Sequence, residues 1–528
     1  MRLCLILAAA AMATGCNDYL DELPDNRTEI TSLEKVEKLL VSAYPTTDPL
    51  YVVEMMSDNV DNYGDDNPNT SRFSDQLYSW QDVTEKNNQS PEYFWETCYD
   101  AIATANIALE SLSDITAASV QYAATESLPA SQARGEALLC RAYAHFMLAC
   151  MFCQAWNAET SASDPGLVYM ERPAQSLDEN PDRGNVADLY KKIERDLEEG
   201  LQLVGSDYAV PKYHFTRSAA YAFAARFFLY TCQWEKAARY ATLCLGSEPA
   251  AMLRDWRYVA SMTQDVSAVT QHYIDASLSC NLMLLTSYSY MGLVFGPYRY
   301  LSKYSHGQYL AQHEDGEAPN IWGPAKFFSE MRTYTARNLD KTIFWKLPYL
   351  FEYYDAIAGT GFYRTVYPAF TADETLLNRA EAYIMLGRYD EAAADLTMWM
   401  QNIVDTGLTL TPELIQTFYN DADYCYSDAE GIRSTIKKHL HPRFDIGEEG
   451  GMTEAMLQCC LGFRRIETLQ TGLRWYDVKR YGIEIVRRVI NGEGEPERRT
   501  DILTRDDPRR AVQIPLKART AGVQPNPR

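Results

Sequence analysis

Histidines and cysteines, the side chains most often used for metal binding and nucleophilic catalysis, are scattered along this sequence. Its seven histidines are dispersed, and none stands at metal-ligand spacing from a second histidine or a cysteine. His439 and His441 are two residues apart beside Pro442, a pattern that favours a turn. The motifs H-E-x-x-H and G-x-S-x-G and the phosphate-binding Walker loop do not occur. The sequence therefore predicts no metal site, no cofactor and no catalytic residue.

The twelve cysteines show no pairing pattern. Cys150 and Cys153 have C-x-x-C spacing, but they fall inside the apolar helical run LLCRAYAHFMLACMFCQAW and no second pair stands at zinc-finger spacing. Cys459 and Cys460 are interpreted in the same way, as small apolar residues of a core. No disulfide framework is predicted.

Carboxylates are abundant, with 72 Asp and Glu residues. A glycoside hydrolase needs two carboxylates at a set separation, but no short motif marks such a pair here. The net charge of −23 argues against nucleic-acid binding, because that function needs a concentrated positive surface. A glycoside hydrolase remains an alternative, and no nucleic-acid partner is expected.

Aromatic residues give a stronger indication of function, since the chain has 37 Tyr and 9 Trp, many of them in loop-like stretches. Some follow an Asn- and Asp-rich run, and others flank Gly292 and the Gly296–Pro297 pair, which favours an exposed loop. An exposed ring offers apolar area that the face of a ligand can cover. The candidate ligand-binding residues are Tyr78, Trp80, Tyr288, Tyr290, Tyr298, Tyr300 and Trp322.

A scaffold must position these residues, and the stretch from Thr371 to Val404 predicts its nature. Thr371 and Glu374 form a capping box, in which each side chain pairs with a free backbone N–H at a helix start. Apolar residues then recur at three- and four-residue steps, Gly387 ends the helix, and a second helix follows. The pattern resembles a tetratricopeptide repeat, a unit that needs stacked neighbours to bury its apolar face.

A second pair of helices emerges when the sequence is compared with itself. Positions of similar chemistry align at an offset of 155 residues: Leu376 with Tyr221, Ala380 with Ala225, Tyr383 with Phe228, Tyr389 with Trp234 and Ala392 with Ala237. The segment Thr216–Gly246 is therefore predicted to be a pair of the same kind, although Cys232 stands where Gly387 ends the first helix of the other pair.

The fold class predicted is mainly α: a tetratricopeptide-like helical-repeat scaffold with a large irregular insertion. The repeats are expected at about 31–246 and 371–490, and the ligand-binding insertion at about 248–370, because that segment is too long for a loop. Met56–Gln89 and Gly492–Arg528 are polar and are expected to run over the surface. The basic residues gathered between Arg464 and Arg488 are expected to form internal ion pairs.

The N-terminus has the features of an export signal. Met1–Thr14 carries one positive charge and an apolar run that is too short to span a bilayer. It leads into Ala13-Thr14-Gly15-Cys16, which resembles a bacterial lipobox, with Ala13 in place of the usual leucine. Residues 1–15 are thus predicted to be a lipoprotein signal peptide, Cys16 the lipidated residue, and 16–528 a single body. The alternative is an ordinary secretory signal with a chance cysteine.

Several runs resemble the SusD/RagB family of outer-membrane lipoproteins. They are CNDYLDELPDN, RGEALLCRAYAHFMLA, VADLYKKIERDLEEGLQLV, TRSAAYAFAARFFLYTCQWEKAARYATLCL, LLNRAEAYIMLGRYDEA and GLRWYDVKRYG, in this order. The resemblance implies a non-enzymatic nutrient-binding lipoprotein, lipid-anchored at the cell surface on the outer membrane. It further implies that the protein captures oligosaccharides and passes them to a SusC-like TonB-dependent transporter.

Two other functions remain open from the sequence. A helical-repeat lipoprotein could act as a protein–protein adaptor that presents a concave surface to a partner. The glycoside hydrolase is the third alternative. The sequence does not select the ligand, which could be a host glycan, a plant polysaccharide or a peptide.

Overall fold

The computed structural model describes residues 30–119, 128–173, 182–336 and 339–528, so the predicted signal peptide and Cys16 lie outside the described residues. The helices are α1 (Leu33–Leu40), α2 (Leu50–Met56), α3 (Arg72–Tyr78), α4 (Pro91–Ser119), α5 (Leu128–Phe152), α6 (Val186–Leu203), α7 (Arg217–Tyr230), α8 (Trp234–Leu245), α9 (Trp256–Ser261), α10 (Val266–Tyr273), α11 (Met291–Phe295), α12 (Gln308–His313), α13 (Ala372–Met385), α14 (Tyr389–Ile403), α15 (Pro412–Asp421), α16 (Met452–Glu467), α17 (Arg474–Arg480) and α18 (Leu516–Thr520). The strands are β1 (Asp61–Asn62), β2 (Asn281–Tyr288), β3 (Tyr304–Ser305), β4 (Arg332–Ala336), β5 (Leu339–Ile343), β6 (Leu350–Asp355), β7 (Thr360–Thr371), β8 (Ile485–Ile490) and β9 (Pro496–Leu503).

The two helical pairs predicted from the 155-residue offset are the hairpins α7–α8 and α13–α14. Each begins with a threonine cap: the Thr216 hydroxyl accepts from the Ala219 N–H, and the Thr371 hydroxyl accepts from the Glu374 N–H. The sequence mismatch at the turn has a shared geometry, since Cys232 has φ +58° and Gly387 has φ +70°. Both hairpins therefore turn through one left-handed residue, the conformation that commonly ends a helix.

The hairpins stack on each other, because α13 packs against both α7 and α8, and α16 covers α13 from the other side. Ala225 in α7 and Ala380 in α13 are fully buried. A buried ion pair joins the two hairpins, with Arg226 Nε donating to Glu374 Oε1 at 2.7 Å. The helical-repeat scaffold predicted from the sequence is confirmed.

The segment 248–370 is built from strands and short helices rather than from loops alone. Its three-stranded antiparallel sheet has the order β2-β7-β6, and β4 pairs with β5 in a separate hairpin. Strand β7 runs directly into α13, because Thr371 both pairs with Asn281 of β2 and caps the helix. This continuity fixes the β6–β7 hairpin to the repeat scaffold.

Two segments expected at the surface contribute in part to the interior, although most of Gly492–Arg528 is partly or fully exposed. Within Met56–Gln89, β1 occupies an inner position of a four-stranded sheet with the order β3-β1-β8-β9. Within Gly492–Arg528, β9 forms the edge of that sheet, Ile514 is fully buried, and Asn526 donates its amide to the Phe152 carbonyl at 2.8 Å. The polar composition was misleading because polar side chains of these segments form hydrogen bonds with residues hundreds of positions away, as Asn526 does with Phe152 and Tyr78 with Arg488.

The predicted internal ion pairs of the basic segment are present, with two exceptions. Side chains paired with buried carboxylates are Arg464 with Asp477 and Glu381, Arg465 with Glu314, Arg474 with Asp58, Arg480 with Glu381, and Arg488 with Asp61. Lys479 and Arg487 donate to backbone carbonyl groups instead.

Within the described ranges, no helix is long and apolar enough to cross a membrane.

Candidate functional site

Tyr78 and Trp80, both predicted to bind ligand from an exposed loop, are buried. They enclose the guanidinium of Arg487, whose central carbon lies 4.0 Å from the Tyr78 ring centroid and 4.3 Å from that of Trp80. The Trp80 indole N–H donates to the Met56 carbonyl at 2.9 Å. Their predicted exposure was wrong, because the rings cover a buried cation that the sequence supplies about 400 residues later.

Trp322 is also buried, with 7% of its surface exposed. Its ring packs against Phe463 of α16 at 5.6 Å and against Phe327 at 5.8 Å between centroids. Tryptophan in such surroundings serves as core packing. The predicted exposure of Trp322 was therefore wrong as well.

The other four predicted tyrosines lie around the β6–β7 hairpin and retain accessible surface. One face of this hairpin carries a continuous set of aromatic rings, which we call the tyrosine wall: Tyr290, Tyr298, Tyr349, Phe351, Tyr353 and Tyr363. Successive ring centroids are 4.8–5.6 Å apart. Tyr298 and Tyr353 are the most exposed of the set, at 41% and 59%.

The alternation of the two strands creates this wall. Side chains of a strand point to opposite faces in turn, and Phe351 pairs directly with Tyr363 across the ladder. Gly361 lets the strands come together, because a Cβ at that position would collide with the Glu352 carbonyl group. Strand β6 thus places Phe351 and Tyr353 on the wall, and the alternation ends at the register shift between Tyr353 and Asp355.

The opposite face of the hairpin holds a smaller group that includes the predicted residue Tyr288. Its ring contacts Phe362 at 5.3 Å, and the Arg364 guanidinium lies 4.6 Å from its centroid. Arg364 is also paired with Glu352, at 2.6 Å between Nε and Oε2. The predicted residues Tyr288 and Tyr290 therefore lie on different faces of one hairpin.

Tyr300, which is 45% exposed, extends the accessible aromatic surface toward a polar loop. Its ring is 6.5 Å from that of Tyr334 in β4. Its carbonyl group accepts from the side-chain amide of Asn69, and Asn69 also forms a backbone bridge with Ser302. An Asn- and Asp-rich loop thus lies directly beside the aromatic loop, and amide and carboxylate groups of this kind can bind hydroxyl groups.

A buried lysine holds the aromatic loop in place. Lys341 of β5 is 1% exposed, and its ammonium donates to the carbonyl groups of Val294 at 2.5 Å, Gly296 at 3.2 Å and Arg299 at 2.6 Å. Three acceptors match the three N–H donors of the ammonium. Tyr298 lies within the segment that these bonds fasten, so β5 fixes one ring of the wall. Burial, with a smaller contribution from Arg299, lowers the pKa of Lys341 to about 7.

Arg299 supplies a positive charge at the wall. Its side chain is exposed, and within the part of the chain that the structure describes no carboxylate lies within ion-pair distance of it. Arg299 directly follows Tyr298 of the wall in the chain. Burial raises the pKa of Tyr290 and of Tyr349, and the positive charge of Arg299 opposes this rise in both. The wall therefore combines flat apolar rings, phenol groups and an available guanidinium.

Sequence reasoning missed Tyr349, Phe351, Tyr353 and Tyr363. The signal was present as aromatic residues at every second position in Tyr349–Tyr353, the period of a strand, but it was not treated as strand pairing. None of the residues of the wall is a carboxylate. The described residues hold no group of three or more His, Cys, Asp and Glu side chains that could bind a metal ion.

Residues 18–229 match a family model named SusD-like_3, described as starch-binding and associating with the outer membrane. No curated protein matches the chain.

Solved structures with the same fold cover almost the whole chain. A protein from Bacteroides vulgatus described as sugar-binding matches with a TM-score of 0.65 at 17% identity, over 95% of this chain and 99% of that one. A SusD superfamily protein from Bacteroides thetaiotaomicron matches with a TM-score of 0.62 at 16% identity, over 94% of this chain and 100% of that one. A second one from B. vulgatus has a TM-score of 0.64 at 16% identity, with coverages of 94% and 99%. The resemblance to SusD/RagB proteins inferred from sequence is confirmed.

Proposed function

This chain is of the SusD/RagB type by its family match over residues 18–229 and by its fold, and we propose that it binds oligosaccharides at the tyrosine wall. The observation that supports this proposal is the continuous set of partly exposed rings from Tyr290 to Tyr353. The C–H faces of a sugar can stack on such rings while its hydroxyl groups bind the phenols and Arg299. The protein itself catalyses no reaction in this proposal.

The affinity expected from this surface is modest. An aromatic contact contributes about 0.5–1.5 kcal/mol beyond its buried area, and ordering a flexible ligand offsets part of that. A few such contacts correspond to dissociation constants of about 1 mM to 1 μM. Weak binding suits a protein that releases its ligand to another protein.

The test is glycan retention in affinity gels for Tyr298→Ala, Tyr353→Ala and Arg299→Gln, singly and together. Each single variant is expected to weaken retention by about two- to tenfold with an almost unchanged melting temperature, since these side chains are exposed. Tyr258→Ala is the matched control, because Tyr258 is 53% exposed but belongs to α9. Full retention by the combined variant would place the binding site elsewhere, and failure to retain any glycan of a broad panel would refute carbohydrate binding.

We further propose that the protein is lipid-anchored through Cys16 at the cell surface and delivers its ligand to a SusC-like TonB-dependent transporter. The lipobox-like residues Ala13–Cys16 and the family's association with the outer membrane support this. Acyl chains contribute about 0.8 kcal/mol per buried CH₂, so a multiply acylated cysteine would hold the protein on a membrane. Cys16→Ala should leave the protein unprocessed or release it into soluble fractions. Processed, membrane-bound Cys16→Ala protein would contradict the anchor, and purification from membranes free of any transporter would contradict the partner.

A further inference from the structure

A cavity of about 220 Å³ lies between the C-terminal end of α5, helix α17 and the chain that follows β9. None of these elements contributes to the tyrosine wall. Trp156 and Phe444 give the cavity apolar walls. Its charged lining is mostly basic, on a chain whose net charge is −23. The basic groups are Arg443, Lys479, Arg480, Arg505 and Arg510, and the acidic groups are Asp164 and Asp506.

Lys479 is one of two cations in this lining whose charge is not paired. It is 8% exposed, and its ammonium donates to the carbonyl groups of Cys150 at 2.8 Å and Cys153 at 2.5 Å. Among the described residues, no carboxylate lies within ion-pair distance of this ammonium. Its hydrogen bonds are thus partly satisfied, but its charge is not compensated.

Arg510 is the second such cation and is 1% exposed. Its guanidinium donates to the carbonyl groups of Val478 at 2.8 Å, Ile483 at 2.6 Å and Thr504 at 2.8 Å. In the described ranges it too has no carboxylate at ion-pair distance. Two positive charges are therefore buried beside one cavity, and in the described ranges neither has a carboxylate at ion-pair distance.

Burying an unpaired charge is strongly unfavourable, and proteins usually avoid it by supplying a partner. The pKa values reflect this, because burial lowers that of Lys479 to about 8 and that of Arg510 to about 10. Both cations would be stabilised by a negative charge placed in the cavity. An anionic ligand bound in the cavity would offset the unfavourable free energy of burying these two charges.

Unpartnered donors point to the same cavity. Arg480 is bound through its terminal nitrogens to Glu381, at 2.6 Å, but its buried Nε has no partner in the described part of the chain. The hydroxyl of Tyr476 and the Nε of Arg505 are also buried there without a hydrogen-bond partner, although the Arg505 Nε lies 3.8 Å from Asp506 Oδ1. Tyr476 lines a smaller adjoining cavity, which shares Lys479 and Arg480 with the larger one. Unsatisfied buried polar groups are rare, so their convergence indicates a missing partner.

We propose that this cavity binds a small anionic molecule, one that bears a carboxylate or sulfate group and is no larger than an acidic monosaccharide. Water could satisfy the free donors but could not compensate two positive charges. Lys479 and Arg510 provide the charge, Arg480 and Arg505 the free donors, and Trp156 an apolar face for the body of the ligand. The volume excludes the longer oligosaccharides that an open surface such as the tyrosine wall can hold.

The test is calorimetric titration of the full chain with sodium glucuronate, sodium sulfate and glucose, at constant ionic strength held with chloride. Glucuronate and sulfate are expected to bind with one site each and to raise the melting temperature, whereas glucose should do neither. Tighter binding of glucuronate than of sulfate would identify an acidic sugar, and equal binding would identify the free inorganic anion. Absence of binding by both anions would overturn the proposal.

Variants assign the binding to this cavity. Lys479→Met is expected to weaken anion binding at least tenfold, and Arg505→Gln severalfold; the Arg505 side chain is 37% exposed, so that variant should fold even if the first does not. Lys326→Gln, 80% exposed and outside the cavity lining, is the control and should bind as the parent does. Unchanged affinity in Arg505→Gln together with unchanged affinity in folded Lys479→Met would overturn the assignment. Tyr298→Ala should retain anion binding, so this result is independent of the glycan site.

Discussion

Asp48 is expected to make the stability of the protein depend on pH in the mildly acidic range. Its carboxylate is 2% exposed and accepts from the Leu50 N–H at 2.9 Å and from the Ser287 hydroxyl. These bonds join α2 to β2, next to Tyr288. Burial dominates over the hydrogen bonds and raises the pKa of Asp48 to about 6, from an ordinary value of 3.8. No cation lies at ion-pair distance among the residues described.

Because the pKa of Asp48 is raised in the folded protein, the unfolding free energy should fall as the pH rises. Below about pH 3 the carboxyl is protonated in both the folded and the unfolded protein, so the folded state retains its full stability. As the pH rises through about 6, the folded protein must ionise a buried group that the unfolded chain ionises at 3.8. That difference in pKa corresponds to about 3 kcal/mol of unfolding free energy, lost between about pH 3 and pH 7.

The variant Asp48→Asn removes this loss, because an amide stays neutral and can keep both hydrogen bonds if the Ser287 hydroxyl acts as acceptor. Urea unfolding at pH 3 to 8 should show the stability of Asp48→Asn rising relative to the parent by about 3 kcal/mol between pH 3 and pH 7. Asp405→Asn, at an exposed position, should show a flat difference. A constant difference between Asp48→Asn and the parent at every pH would refute the reasoning.

Three further predictions concern the core and the aromatic loop. Trp322→Ala should lower the unfolding free energy by about 3–5 kcal/mol, because it empties a buried site against Phe463; unchanged urea stability would contradict this. Enlarging Ala225 or Ala380 to Leu should overpack the contact between the stacked hairpins and lower the unfolding free energy by about 1–3 kcal/mol. Unchanged urea stability in both variants would argue against a tight contact at these positions. Lys341→Met should leave buried carbonyl groups unpaired, lowering urea stability by about 1–3 kcal/mol and weakening glycan retention, whereas full retention would show that the loop needs no such fastening.

The helical pairs could be predicted from sequence because their signals are local. A capping threonine, apolar residues at helical spacing and a turn residue lie within about 35 residues of each other. The 155-residue offset even aligned Cys232 with Gly387. Both residues have a positive φ, although a cysteine does not by itself predict that conformation. Local rules thus recovered the scaffold and the order of its elements.

The site was harder to predict, because exposure depends on distant partners. Trp80 and Tyr78 stand in a polar stretch, yet Arg487 turns them into parts of the interior. Only two of the six residues of the wall were identified: Tyr290 and Tyr298 were found from their loop, but Tyr353 and Tyr363 become a surface only when two strands pair. No single-sequence pattern states which strand pairs with which.

The buried ion pairs that join the two ends of the chain also constrain the order in which it can fold. Asp58 is bound by Arg474 through two bonds of 2.8 Å, and 416 residues separate the two. Lys438 and Arg465 also lie within ion-pair distance of this carboxylate, at 3.5 Å and 3.8 Å. Until these C-terminal cations have been synthesised, Asp58 has to stay in water, since burying it alone is unfavourable. The N-terminal third therefore cannot complete its interior early, and such long-range closure is slow. A chain truncated after α15 lacks all three cations and should stay partly open and prone to aggregation, even though most of its helices could form.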